Sequence, residues 1–273
     1  MFRYLFLFLF LLLLISISAC TTLDRHENAS KLAHSAGLNH SKVVVSGFAL
    51  TAYSRLTDVT QPINVYIEGD GLAWLSRRQL SPDPTPKVAM ALALAALDRA
   101  ENVIYMARPC QFHDFANSPC DSTYWSNSRF SEKVVDAMNQ ALSQLIASPH
   151  QKLNLIGYSG GAAIAVMLAS RRNDVVSIRT VAGNLDHAYV NQIHKVDLMP
   201  ESLNPIDVAD KISRLPQIHF VGVNDETIPP QVAQRFIGEQ KTAHCAVIVK
   251  VDANHKSGWV KMWPKLLKQS LPC

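Results

Sequence analysis

Short β-branched, apolar runs alternate with helix-like stretches along most of this chain, and that alternation restricts its fold more than any other feature. Residues 63–67 (INVYI), 102–107 (NVIYMA), 153–157, 175–182, 217–223 and 245–251 read as strands, and an extended segment runs from Val43 to about Arg55. Residues 86–100, 131–147, 160–171, about 230–237 and 258–269 read as helices. Pro86 falls in a first turn, where proline is tolerated, and Ser131 stands at an N-cap position. Strands separated by helices predict parallel βαβ units with helices on both faces. Apolar strands without clean alternation fit a sheet buried on both sides. The fold class expected is α/β, with a mostly parallel central sheet in one domain over residues 42–273. Ligands of such sheets bind beyond the C-terminal ends of the strands, so reactive residues should follow strands rather than precede them.

Composition removes several classes. The chain of 273 residues is 48% apolar and 18% charged, the opposite of a disordered chain. Eleven glycines and 14 prolines are too few for a collagen-like or low-complexity chain. With 26 basic against 22 acidic residues the net charge is only +4, and no nucleic-acid partner is expected.

Arg3 precedes an unbroken apolar run, Leu5 to Ile15. At about 1.5 Å per residue that run is too short for a hydrocarbon core of about 30 Å, so residues 1–19 read as a secretory signal peptide. Ile17-Ser18-Ala19-Cys20 resembles the bacterial lipobox. The resemblance implies a lipidated Cys20 as the new N-terminus and attachment to a membrane of the cell envelope. Thr21 in place of Asp implies the periplasmic face of the outer membrane in a Gram-negative source. The polar stretch that follows reads as a tether over residues 20–41. With Cys20 lipidated, four of the five cysteines remain, in an oxidising compartment where disulfides persist. They allow three pairings. Cys110 and Cys120 share one loop between Pro109 and Pro119, which leaves Cys245, at the start of the last strand, for Cys273.

The strand at 153–157 runs into Gly157-Tyr158-Ser159-Gly160-Gly161 and then a small-residue helix. Strand, G-x-S-x-G and helix together are the context of a nucleophile elbow, in which a strained turn exposes the serine at a helix N-terminus. The helix dipole and the Gly160 N–H favour negative charge developing there. On these residues the chain resembles the α/β-hydrolase superfamily, over roughly Val43 to Leu267. It further resembles a little-characterised bacterial lipoprotein branch with segments like Tyr66-Ile67-Glu68-Gly69-Asp70-Gly71 and Arg108-Pro109-Cys110-Gln111.

A serine nucleophile needs a histidine to take its proton and a carboxylate to orient that histidine. His26, His34 and His40 lie in the expected tether, His150 precedes a strand, His219 lies inside one and His244 starts one. His113, His187 and His194 fall in loops upstream of the last strands. His255 follows the strand ending at Val251, just before the final helix, and obeys the superfamily order of serine, acid, histidine. Asp225 follows the strand ending at Val223 and is the acid expected. Asp186 is its rival one strand earlier, with Glu226 and Asp252 as further alternatives.

Where many superfamily members carry His-Gly, this chain has Glu68-Gly69-Asp70-Gly71. By position the Asp70 N–H is the second oxyanion donor, with Gly71 as the alternative. Two carboxylates without a partner histidine are a poor metal signal, so neither a metal nor a cofactor is expected. The excursions 108–130 and 183–216 lie at the same edge, and the second is where superfamily members commonly carry a lid. Trp74, Tyr124, Trp125 and Tyr158 are candidates to line an apolar pocket. The resemblance implies a lipid-anchored serine hydrolase cleaving a carboxylic ester or thioester of an apolar acyl group through an acyl-enzyme. Acyl transfer or peptide hydrolysis on the same triad, and a non-catalytic envelope scaffold, are the alternatives.

Overall fold

The computed structural model describes residues 25–113, 120–241 and 245–273. The signal peptide at 1–19, Cys20 and His244 lie outside them. Eight strands form the main sheet: β1 (Asn39–Val45), β2 (Phe48–Leu56), β3 (Ile63–Ile67), β6 (Asn102–Met106), β7 (Leu153–Tyr158), β8 (Val175–Val181), β9 (Gln217–Gly222) and β10 (Ala246–Val251). Their order is β1-β2-β6-β3-β7-β8-β9-β10. The pairs β1–β2 and β2–β6 are antiparallel, and every later pair is parallel. Two short strands, β4 (Trp74–Ser76) and β5 (Gln79–Leu80), make a separate hairpin. The expected segment from Val43 to Arg55 is therefore two strands. Ser46 (φ 49) and Gly47 (φ 83) both take positive φ, as a two-residue hairpin turn requires.

The helices are α1 (residues 25–35), α2 (Met90–Ala95), α3 (Glu132–Leu145), α4 (Gly160–Ala169), α5 (His187–His194), α6 (Gln231–Gly238) and α7 (Trp259–Leu266). Both faces of the sheet are covered. Ile63, Val65, Ile67, Ile104, Met106, Leu153 and Leu155 point into one apolar cluster. Tyr66, Val103, Tyr105 and Ile156, their alternate neighbours, point into the other. All are buried, which is why these strands read as continuous apolar runs.

Two expectations are corrected here. The polar tether predicted over 20–41 does not hold for its described part. Residues 25–35 form α1, with Ala29, Ala33 and Leu38 buried against the second cluster, and Asn39–Val45 is an edge strand. Arg25 fixes the start, with Nη1 donating to Thr85 O at 2.6 Å and Nη2 2.8 Å from Asp83 Oδ2. The helix predicted at 86–100 shrinks to Met90–Ala95, and beyond its end Asp98 is engaged with the sheet, its Oδ2 accepting from Tyr66 Oη at 2.7 Å. Ser131 does stand at the N-cap of α3 with extended backbone, but its side chain makes no capping bond.

Cys110–Cys120 and Cys245–Cys273 are both disulfides, with Cα–Cα separations of 5.6 and 5.5 Å. Disulfides persist in oxidising compartments, so the pairs point to a non-cytoplasmic protein. Among the described residues no helix is long and apolar enough to cross a membrane.

Candidate active site

The chain leaves β7 at Tyr158 and turns through Ser159 into α4. Ser159 has φ 50 and ψ −118, a backbone conformation that non-glycine residues rarely adopt. The end of β8 and the loop after it hold it there: the Ser159 N–H donates to Val181 O at 2.9 Å, and Ser159 O accepts from the Asn184 N–H at 3.0 Å. Gly161 is needed for the close approach, since a Cβ on it would overlap Ile67 O at the end of β3. The helix that follows is buried along its whole length, so Ser159 is carried on a rigid element.

Ser159 Oγ lies 3.0 Å from His255 Nε2, and His255 Nδ1 lies 2.9 Å from Asp225 Oδ2. With Nδ1–H donating to the carboxylate, Nε2 is the acceptor left for the serine hydroxyl. The other oxygen, Asp225 Oδ1, accepts the Thr227 and Ile228 N–H groups at 2.9 and 2.8 Å, and the Asp225 side chain is fully buried. The His255 backbone is fixed as well: its carbonyl accepts from Tyr158 Oη at 2.8 Å and Trp259 Nε1 at 3.2 Å. Each residue follows a strand end, β7, β9 and β10, as the edge rule requires.

The rival acids are engaged elsewhere. Asp186 caps α5 through the Tyr189 N–H at 3.1 Å and pairs with Arg235 Nε at 3.0 Å. Glu226 and Asp252 are exposed, and Asp252 accepts from Asn224 Nδ2 at 3.3 Å. His187 and His194 begin and end α5 rather than lying in loops. His219 is sealed inside β9, and burial pushes its pKa down to about 3.

Asp70 follows β3 and sits beside the serine turn. Its carboxylate lies so close to Gly160 that a Cβ there would overlap Oδ1. Arg108 Nη1 is 3.3 Å from Asp70 Oδ1, and Arg129 Nε is 3.5 Å from Oδ2. Two guanidinium groups around one carboxylate leave an excess of positive charge at the N-terminus of α4. Burial lowers the Arg108 pKa to about 10, with Asp70 opposing that fall, so Arg108 remains a cation near neutrality. Gln111 ties this segment to the serine loop, with Nε2 donating to Gly69 O at 2.8 Å. The sequence does not announce Arg108 and Arg129 as partners of Asp70, or Gln111 as a partner of Gly69. Arg108 and Gln111 fall in the short Arg108-Pro109-Cys110-Gln111 segment, and Arg129 lies in no motif.

Glu68 lies beneath the same loop and is buried. Its Oε1 accepts the Gly69 and Ala91 N–H groups at 3.0 and 3.3 Å, and Oε2 accepts Tyr105 Oη at 3.2 Å. Burial raises its pKa from 4.5 to about 7, against the pull of these bonds. Both carboxylates thus face hydrogen-bond donors. Among the described residues no group of three His, Cys, Asp or Glu side chains is arranged to hold a metal.

A cavity of about 510 Å³ opens over Ser159 and His255, and its lining includes the apolar Leu72, Trp74, Val88, Met90 and Tyr158 and the charged Asp70, Lys87, Arg129 and Lys256. Tyr124 and Trp125 are not among its lining residues. Tyr124 packs on Phe48, and Trp125 is buried with its Nε1 donating to Ser81 O at 3.0 Å. The 183–216 excursion is folded into the core through Leu185, Val190, Met199 and Ile212.

No protein-family model matches the sequence, and no curated protein matches it. Solved structures do match in shape. Est1E from Butyrivibrio proteoclasticus is 12% identical with a TM-score of 0.55, covering 84% of this chain and 96% of its own. An esterase of Pyrococcus furiosus is 11% identical with a TM-score of 0.58, covering 85% and 90%. The thioesterase domain from the curacin biosynthetic pathway is 14% identical with a TM-score of 0.54, covering 85% and 99%. With the strand order above, these likenesses show the α/β-hydrolase fold.

Proposed function

We propose that this chain is a serine hydrolase that cleaves a carboxylic ester or thioester of an apolar acyl group, held at a bacterial envelope membrane through lipidated Cys20. The observation that carries the reading is the unbroken chain of contacts Ser159 Oγ–His255 Nε2–Asp225 Oδ2, at 3.0 and 2.9 Å, with Ser159 and His255 lining an open cavity. His255 takes the Ser159 proton as Oγ attacks the acyl carbonyl, and Asp225 holds the ring and stabilises the imidazolium. The oxyanion of the tetrahedral intermediate meets the Gly160 and Asp70 N–H groups and the positive end of α4. His255 then protonates the departing alcohol or thiol, and water, activated by the same histidine, releases the acid from Ser159. No cofactor takes part in these steps.

Leu72, Trp74, Val88 and Met90 in the cavity support an apolar acyl group, since such surface gains from burial. The test is hydrolysis of p-nitrophenyl esters from acetate to laurate. Turnover that rises with acyl length and vanishes in Ser159→Ala is expected. Equal turnover by the variant contradicts the reading.

A further inference from the structure

The cavity mouth and the start of the described chain lie together. Arg25 is bonded to Asp83 and Thr85, and the residues immediately after them, Pro86, Lys87 and Val88, line the cavity. Cys20 precedes Arg25 by five residues, which span at most about 18 Å when fully extended. Because α1 is packed rather than free, a lipid on Cys20 is held on a short leash beside the mouth. A leash that short restricts which face of the domain can meet the bilayer.

That face has the chemistry a bilayer surface selects. Trp74, Leu75 and Val88 are 43%, 50% and 67% exposed. The β4–β5 hairpin that carries Trp74 and Leu75 reaches the end of α5, where Arg77 Nη2 donates to His194 O at 3.3 Å. His194 Nε2 in turn contacts Thr227 O, on the cavity wall, at 2.8 Å. Val196 and Leu198, just beyond α5, are exposed too. Arg77, Arg78, Lys87, Lys195 and Lys256 are exposed on the same segments, against Asp197, Glu201, Glu226 and Asp252, and no acid is exposed on the hairpin or beside Val88. Exposed apolar side chains ringed by a cationic excess mark a surface for an anionic membrane.

We infer that the cavity mouth docks on an anionic phospholipid bilayer, inserting Trp74, Leu75, Val88 and Leu198, so that Ser159 meets acyl esters lying in that bilayer. The inference rests on the lipidated Cys20 and the serine chemistry proposed above. Membrane attachment then supplies substrate access as well as location.

Tryptophan quenching reads docking separately from catalysis. Trp125, Trp259 and Trp263 are buried, so acyl-chain bromine can reach only Trp74. The full chain, lipidated in a bacterial host, is placed in phosphatidylglycerol–phosphatidylcholine vesicles with brominated acyl chains. Quenching is expected, absent in Trp74→Phe and weaker in phosphatidylcholine alone. Leu75→Asp/Leu198→Asp should lose it and hydrolyse phosphatidylglycerol at least about 10-fold more slowly, while turnover of a soluble short-chain ester stays within about 2-fold. No quenching, quenching that survives Trp74→Phe, or a lipid-free dimer that buries Trp74 overturns the docking. Quenching without phosphatidylglycerol hydrolysis by the wild type overturns the bilayer substrate. Quenching without turnover of any ester supports docking and overturns the hydrolase reading instead.

Discussion

The Asp70 carboxylate lies against Gly160, with no room between them for a β-carbon. The loop after β3 and the serine turn are therefore fitted to each other, and the fit sets where the Asp70 and Gly160 N–H groups stand. Gly160→Ala forces Asp70 away. Its kcat on a short-chain ester should fall about 100-fold, the scale of losing one oxyanion donor, with KM little changed. Steady-state kinetics with a circular dichroism control for folding checks this.

Asp225 accepts from His255 Nδ1 and from two backbone N–H groups. Asn in its place can keep the loop bonds but no longer selects the tautomer that leaves Nε2 as acceptor. Asp225→Asn should reduce kcat by about 10⁴-fold, while Asp186→Asn, which alters the α5 cap, the Arg235 pair and the bond from Asn204 Nδ2, should leave kcat within about 3-fold.

Glu68 gives a stability that depends on pH. Its folded pKa, about 7, lies above the ordinary 4.5, so between these values the folded state binds the proton and the unfolded state does not. The stability is fully present below pH 4.5, falls as pH rises, and is gone above about pH 7. The difference is on the order of 3 kcal/mol. Denaturant midpoints should therefore be lower at pH 8 than at pH 5, and Glu68→Gln should remove most of that difference.

The two disulfides close loops of 10 and 28 residues. Loop-closure entropy puts each at about 3 kcal/mol. Cys120→Ser should also impair turnover, because Cys110 adjoins Gln111, which holds Gly69 O. Cys245→Ser should cost stability alone, a split that thermal melts and kinetics on the two variants separate.

What could be read from the chain followed the range of the interactions. Ser159, Asp225 and His255 were legible because each directly follows an apolar strand, and the strand ends share one edge of the sheet. Gly157 and Gly161 marked the turn for the same local reason. The cysteine pairing was legible because Cys110 and Cys120 share one short loop, which left Cys245 for Cys273. The helix at residues 25–35 was not, since its buried face is built from Ala29 and Ala33, which carry little hydrophobic signal among Asn, Ser and His. The Asp70–Arg108–Arg129 cluster joins residues 21 to 59 positions apart, and no local pattern announces a contact of that kind.

The most direct measurement is labelling of the purified chain with a fluorophosphonate, located by mass spectrometry of its peptides. The expected result is one adduct, on Ser159, that is lost in His255→Ala and protected by an excess of acyl ester. Absence of an adduct on the folded wild type, or an adduct that persists in Ser159→Ala, would contradict the account.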